Sequence, residues 1–310
     1  MHRLICFLLA LMGVALGGLW VNDSLNEWLV TASSASSTYK TYRLFALRPA
    51  DEMPILGSSR ASQNFVPSLL SPKAFNYGVD GSGMGETLFF LAQCLRNGSS
   101  NPILINLDPW GFPEKATFPA DYQLVLGNAD VRAVLPPERT ALSERLPGVR
   151  FHGALRRNLT AFLNDRLALT KVVDHGATLQ RLSRTPAEWE TINRSRKEPM
   201  EFHFDAHWQA ALDDLYGRTE RPIVWVVGPL APHPWRLYRG EAELEAFLAA
   251  QVQRKHVYAV NLIRLSEEMT EADFMDSTHL NLQGAERFTR LLRERLWEIP
   301  EVTAAVAPER

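Results

Sequence analysis

The sequence predicts an α/β fold, a three-layer α/β/α sandwich built on a mostly parallel sheet of five strands. Two observations predict it. Short apolar runs alternate with amphipathic stretches along the chain, and these runs are apolar throughout instead of alternating with polar residues. Strands that are buried on both faces have this composition, and helices that connect successive parallel strands supply the covering layers.

The predicted elements follow each other from residue 52 onward. The strands are residues 53–57 (MPILG), 75–81 (FNYGVDG), 101–112 (NPILINLDPWGF), 221–232 (RPIVWVVGPLAP) and 257–263 (VYAVNLI). The helices are residues 58–70, 85–98, 241–255 and 284–299, which have serine caps, glycine stops or amphipathic spacing. We assign residues 52–310 to this domain. Residues from about 113 to 220 are read as a helical insertion that lacks a clear strand and packs over the strand ends.

The N-terminus predicts a membrane segment. The run from Leu4 to Val21 contains no charge and approaches the roughly 20 residues that a helix needs to cross a bilayer. We read residues 1–21 as an uncleaved signal anchor, with a cleaved signal peptide as the alternative. Arg3 before the run favours a cytoplasmic N-terminus, which places the domain in the periplasm, anchored to the cell inner membrane. Residues 22–51 are read as a tether and lead-in, with the small polar stretch 31–38 as the flexible part.

Composition excludes some classes of function. The chain has 310 residues and a formal net charge of −2, which gives no electrostatic reason to expect a nucleic-acid partner. Two cysteines, Cys6 and Cys94, cannot build a disulfide framework. His203 and His207 have the i, i+4 spacing that binds metal on a helix, but no second ligand pair follows. We therefore expect no metal and no cofactor.

Two short motifs at opposite ends of the domain predict nucleophilic catalysis. Gly57-Ser58-Ser59-Arg60 comes where the first strand turns into its helix, so a serine there lies at the carboxyl end of the sheet. Asp276 precedes His279 by three residues, just before the last helix. Such a carboxylate can fix the tautomer of the imidazole, which leaves the other ring nitrogen free to take a proton from a hydroxyl.

This pair of motifs resembles the SGNH (GDSL-like) hydrolase family over about residues 52–297, outside the insertion. The resemblance implies a flavodoxin-like sheet with Ser59 as the nucleophile, His279 as the general base and Asp276 as its orienting carboxylate. It also implies an oxyanion hole from the backbone N–H groups of Ser59 and of Gly78 in Phe-Asn-Tyr-Gly.

The chain departs from the family pattern at two positions. Ser58 replaces the usual aspartate, and Gly-Ser-Ser resembles the membrane-anchored branch that works beside membrane-bound O-acyltransferases on cell-surface polymers. Asp108 takes the place of an asparagine that donates to the oxyanion, and an ionised carboxylate cannot donate. Asn76 or Asn106 can substitute, or two backbone donors suffice. Loss of one such donor typically slows an enzyme by about 10²–10³ without abolishing its activity.

Two further groups near the expected site have alternative interpretations. Arg60 either contacts a polar or anionic part of the substrate or only covers its helix. Trp110 and Phe112 after the third strand, with His233 and Trp235 after the fourth, either form a platform for sugar rings or pack against the insertion.

The resemblance and the anchor together predict an extracytoplasmic serine hydrolase or acyltransferase. Its substrate would be an acyl ester, with acetyl groups added to or removed from a polysaccharide, and a membrane-bound O-acyltransferase would be its partner. Hydrolysis and transfer use the same residues, so both stay open. The alternatives are a general carboxylesterase or lipase-like hydrolase, and a non-catalytic component of a polysaccharide assembly complex.

Overall fold

The computed structural model describes residues 2–111, 118–140, 151, 154–167, 171–182, 184–195 and 197–306. The strands are β1 (Met53–Leu56), β2 (Ala74–Asn76), β3 (Ile103–Asn106), β4 (Lys171–Asp174), β5 (Ala177–Gln180), β6 (Ile223–Val227) and β7 (Val257–Asn261). The helices are α1 (His2–Thr31), α2 (Ser37–Tyr42), α3 (Ser59–Asn64), α4 (Pro67–Leu70), α5 (Met84–Arg96), α6 (Ala129–Val134), α7 (Pro137–Thr140), α8 (Leu155–Leu167), α9 (Pro186–Ser195), α10 (His207–Gly217), α11 (Pro232–Leu237), α12 (Glu241–Gln251), α13 (Leu282–Trp297) and α14 (Pro300–Val306).

Five strands form one parallel sheet in the order β2-β1-β3-β6-β7. These are the five strands that the apolar runs predict, so the predicted fold class is confirmed. The strand order reverses between β1 and β3, because the chain goes outward from β1 to β2 and then returns to the other side of β1. Parallel sheets bind ligands beyond the strand ends at such a reversal.

Alternate residues of the central strands enter two separate hydrophobic cores. Ile103 and Ile105 of β3 pack on one face with α5, α10 and α12. Leu104 packs on the opposite face with α3, α4 and α13. All residues of β1, β3 and β6 are buried. This burial explains why these strands are apolar throughout, since each must satisfy two apolar layers.

The segment between β3 and β6 differs from the prediction in two ways. It contains an antiparallel hairpin, β4–β5, so the expectation that it lacks a strand is wrong. The hairpin packs beside α3 and joins β2 through a hydrogen bond from Asn76 N to His175 O. The end of the segment forms α10, whose Leu212 lies in the same core as α5, so α10 belongs to the sandwich.

The N-terminal segment packs against the domain. Within α1, Ile5–Thr31 is long and apolar enough to cross a membrane. From Asp23 onward one face of α1 is buried, and Asn158 of α8 donates a hydrogen bond to Asn26. The polar stretch 31–38, predicted as a flexible tether, leads directly into α2, where Lys40 is buried. Several residues between Asp23 and Phe45 are thus buried, whereas residues 46–48 are exposed.

Candidate active site

The turn between β1 and α3 positions Ser59. Gly57 has a φ of +134°, a conformation that favours glycine, and a Cβ there would lie 3.0 Å from Asn106 O. Ser58 caps α3 by accepting a hydrogen bond from Arg60 N. Ser59 is therefore the first helical residue, half-buried at the carboxyl end of β1. Its N–H has no acceptor within the helix.

A closed loop before α13 carries His279. Phe274 and Leu280 form an antiparallel bridge, and Met275 N donates to His279 O at 2.9 Å. Leu280 N donates to the side chain of Asn64 in α3 at 2.9 Å. This last bond ties the loop to the helix that begins with Ser59, although the two segments are more than 200 residues apart in sequence.

The structure brings Ser59, His279 and Asp276 into one hydrogen-bonded chain. Ser59 Oγ lies 2.8 Å from His279 Nε2, and His279 Nδ1 lies 2.8 Å from Asp276 Oδ2. Asp276 Oδ1 also accepts the backbone N–H groups of Thr278 at 2.8 Å and of His279 at 2.9 Å. With the carboxylate ionised, His279 Nδ1 donates to it, and Nε2 is then free to accept a hydrogen bond from the Ser59 hydroxyl.

Asp276 stays ionised although it is partly buried. Burial opposes the charged form, but hydrogen bonds from the His279 ring and from two backbone N–H groups outweigh it and hold the pKa of Asp276 well below its ordinary value. The carboxylate is therefore negative at every pH at which the protein is expected to work. An anion at this position would stabilise a positive charge on the imidazole of His279.

The predicted oxyanion donors other than Ser59 N–H are engaged elsewhere. Gly78 lies beside α3, where a Cβ would come within 2.5 Å of Ser62 N. Its N–H, however, donates to Asn76 Oδ1 at 2.9 Å. The Asn76 amide in turn donates to Ala61 O at 2.7 Å. In this geometry the lack of a side chain at Gly78 lets its loop pack closely against α3, and Asn76 holds the loop against this helix.

Asp108 accepts hydrogen bonds from two neighbours. Ser58 Oγ donates to Asp108 Oδ2 at 2.8 Å, and Asn106 Nδ2 donates to Asp108 Oδ1 at 2.9 Å. Burial raises the pKa of Asp108, and the nearby Arg60 cation and these two donors offset part of the rise. Ser58 and Asp108 are thus direct partners, and the Asn106 amide gives one of its two N–H groups to Asp108.

Arg60 is fully buried, so its guanidinium does not face solvent. It donates to Pro229 O at 2.6 Å, and its Cζ lies 5.5 Å from the centre of the Trp110 ring. Burial lowers the pKa of Arg60 to about 10, while the carboxylates of Asp108 and Asp276 favour its charged form. Arg60 is a buried counter-ion beneath the site, and the prediction that it contacts substrate has no support in this geometry.

The aromatic residues near the site are mostly packed. Trp110 and Trp235 pack against the core beneath the sheet, which favours the packing alternative over a sugar platform. His233 lines a shallow cleft together with Trp189 and other residues of α9. Phe112 lies outside the described residues.

His203 and His207 do not share a helix. His203 forms an extended bridge to Gly111, whereas His207 begins α10 and contacts Asp205 at 2.7 Å. The i, i+4 spacing in the sequence therefore does not place these two histidines on one helix. Within the described part of the chain, no group of three or more His, Cys, Asp or Glu side chains can hold a metal ion.

Two residues near the site were not identified from the sequence. Lys40 is buried and donates to Gly78 O at 2.5 Å, and burial lowers its pKa to about 8. It lies in a stretch with the composition of a linker, so no local signal identifies it. Gln63 lies four residues after Ser59 on α3. This spacing in the sequence was enough to predict that Gln63 and Ser59 share one face of the helix.

Comparisons with known proteins do not assign this chain to a family. No protein-family model matches this chain, and no curated protein matches it. Among solved structures, the chain is similar to one from Streptococcus pneumonia that is provisionally described as a platelet activating factor. The two share 13% sequence identity with a TM-score of 0.40, over 89% of this chain and 97% of that chain. A likeness of this size supports no conclusion about activity.

Proposed function

We propose that this chain is an SGNH-type serine O-acyl hydrolase or acyltransferase. The observation that supports it most is the hydrogen-bonded chain from Ser59 Oγ through His279 to Asp276, with both contacts of the imidazole at 2.8 Å. An ordinary helix cap needs a serine but neither of the other two groups. A nucleophile, a base and an orienting carboxylate in this order are what acyl transfer through a serine requires.

The proposed reaction has two halves. Ser59 Oγ attacks the carbonyl carbon of the acyl ester while His279 Nε2 takes the hydroxyl proton, and the carbonyl electrons move onto the oxygen. Collapse of this tetrahedral species breaks the ester bond, and the proton on His279 passes to the leaving alcohol. Water or a sugar hydroxyl then attacks the acyl-Ser59, giving its proton to His279, and the released Ser59 regains a proton.

In this scheme the developing oxyanion meets the N–H of Ser59. Gly78 N–H becomes a second donor only if it leaves Asn76 Oδ1, which lies 2.9 Å from it. Since each oxyanion donor is typically worth about 10²–10³ in rate, we expect turnover to be slower than in an enzyme with a complete oxyanion hole.

The apolar part of α1 supports a membrane anchor, and we propose that it lies in the cell inner membrane with the α/β domain in the periplasm. We propose an acetyl ester of an exported or cell-envelope polysaccharide as the substrate, and a membrane-bound O-acyltransferase as the partner that supplies or receives the acyl group. These assignments rest on the resemblance of Gly57-Ser58-Ser59 and Asp276 to His279 to the membrane-anchored branch of the family.

Hydrolysis of p-nitrophenyl esters by the full-length chain in detergent tests the activity. We expect the acetate to be cleaved by the wild type and by Ser195→Ala, a control at the exposed end of α9, and not by Ser59→Ala. A rate that rises steadily from acetate to octanoate would instead favour a lipase-like hydrolase. Equal rates for the wild type and Ser59→Ala would overturn the proposal.

A further inference from the structure

A groove of about 740 Å³ lies beside α3, the helix that begins with Ser59. Gln63 of α3 and the residues from Gly78 to Asp80, in the loop after β2, form one wall of the groove. Ser59 and Gln63 are four residues apart on one helix, so their side chains lie on the same face, separated by one helical turn of roughly 5.4 Å. The groove therefore begins one turn from the proposed nucleophile, and its volume lies within the usual range of ligand sites.

The β4–β5 hairpin, which was not predicted from the sequence, and α8 build two further walls. The β4–β5 hairpin contributes Lys171 and Thr178, and α8 contributes Arg156 and Thr160. Serines that directly follow the membrane helix complete the lining. The groove thus lies between the residues that follow α1 and the face of α3 that carries Gln63.

Gln63 has an unfilled hydrogen-bonding capacity at this position. Its side chain is 9% exposed, and Oε1 is buried without a hydrogen-bond partner among the described residues. Its Nε2 makes one long contact of 3.5 Å with Asp80 Oδ1. A buried carbonyl without a donor is destabilising, and the terminal amide rotates easily. Once the amide has turned toward the groove, a ligand hydroxyl can donate a hydrogen bond to this oxygen.

The lining suits a polyhydroxylated chain better than a hydrocarbon chain. Its charged residues are of both signs, Lys40, Arg156 and Lys171 against Asp80 and Asp165, and its apolar residues are small. Among the described lining residues none is aromatic or a leucine, whereas a pocket for an acyl tail is lined mostly by large apolar side chains. Sugar hydroxyls both donate and accept, and this mixture of carboxylates, cations and hydroxyls offers both roles.

We infer that this groove binds several sugar units of a glycan chain next to Ser59, with Gln63 and Asp80 contacting the unit nearest to the acylated hydroxyl. The inference rests on the proposed function and adds a location and a recognition chemistry for the polymer. Gln63 acts in binding, so its replacement raises KM more than it lowers kcat.

Acetate release from O-acetylated cello-oligosaccharides of one to six units tests the groove. For the wild type we expect KM to fall about tenfold, which corresponds to about 1.4 kcal/mol, from one unit to four. Thr178→Trp fills the groove and should remove this length dependence. Thr191→Trp, an exposed position on α9, should retain it. Gln63→Leu should raise KM for the tetramer by about three- to tenfold, since it removes one neutral hydrogen bond.

The outcomes separate this inference from the proposed function. A KM that does not change with chain length in the wild type would overturn the glycan groove, as would a length dependence that survives in folded Thr178→Trp. If Thr178→Trp does not fold, an unchanged KM for Gln63→Leu overturns it instead. Absence of p-nitrophenyl acetate hydrolysis by the wild type would overturn the proposed enzyme itself.

Discussion

Replacing Asp276 with asparagine should switch the imidazole to the wrong tautomer while the loop keeps its shape. Asp276 Oδ1 accepts the N–H groups of Thr278 and His279, and an amide oxygen can keep both bonds. At the other position, 2.8 Å from His279 Nδ1, the amide nitrogen is a donor. Nδ1 must then accept, so the proton moves to Nε2, which faces Ser59 and can no longer take its proton.

The expected loss follows from this geometry. Removal of the tautomer-fixing carboxylate in a serine triad lowers kcat by about 10⁴, which is about 5 kcal/mol of transition-state stabilisation. KM should stay nearly constant, because Asp276 does not reach the substrate. The assay is p-nitrophenyl acetate hydrolysis with thermal unfolding measured in parallel.

A second Asp–His contact in the same chain supplies the matched control. Asp205 lies 2.7 Å from His207 Nδ1 at the exposed start of α10, so Asp205→Asn changes the same kind of pair outside the triad. It should keep wild-type kcat. If folded Asp276→Asn stays within about threefold of the wild type, well short of the 10⁴ expected, the assigned role of Asp276 is wrong.

Three further predictions concern the surroundings of the site. Burial raises the pKa of Glu86 to about 7 from 4.5, so folded stability falls as the pH rises from 4.5 through 7. Glu86→Gln should therefore gain about 3 kcal/mol over the wild type at pH 8 and little at pH 4 in urea unfolding; an equal gain at both pH values would contradict this. Gly78→Ala should cost about 1–3 kcal/mol in urea unfolding and lower kcat, because its Cβ meets Ser62 N at 2.5 Å. Gly217→Ala, with open space around it, should cost little, and equal losses would refute the packing role. Ser58→Ala should cost about 1–2 kcal/mol by urea unfolding, since Asp108 and Arg60 N both lose a partner; wild-type stability would show that this pair is not needed.

The sheet could be predicted from the sequence because a strand that is buried on both faces is apolar at nearly every position. Each residue of β3 and β6 is buried, so the strands read as unbroken apolar runs. The proximity of Ser59 and His279 was also predictable. Ser59 lies in a short motif at the end of the first strand, and His279 lies in a short motif just before the last predicted helix. Ser58 and Asp108 follow two neighbouring parallel strands, and this adjacency would have indicated their contact.

The hairpin and the hydrogen-bond partners near Ser59 were harder to predict. β4 is half-buried and carries Lys171 and Asp174, so its pattern does not stand out from the polar segment around it. The only local signal is the two-residue turn of His175 and Gly176, both with positive φ. The engagement of Gly78 N–H depends on the side-chain conformation of Asn76, which no sequence pattern specifies.

Covalent labelling of Ser59 measures its activation as a nucleophile most directly. The full-length chain in detergent is treated with a fluorophosphonate probe at neutral pH, and the modified peptide is identified by mass spectrometry. We predict one probe per chain on Ser59, none on Ser59→Ala, and much slower labelling of Asp276→Asn. An unlabelled wild-type chain, or a label that remains in Ser59→Ala, would contradict the assignment of Ser59, His279 and Asp276 as a catalytic triad.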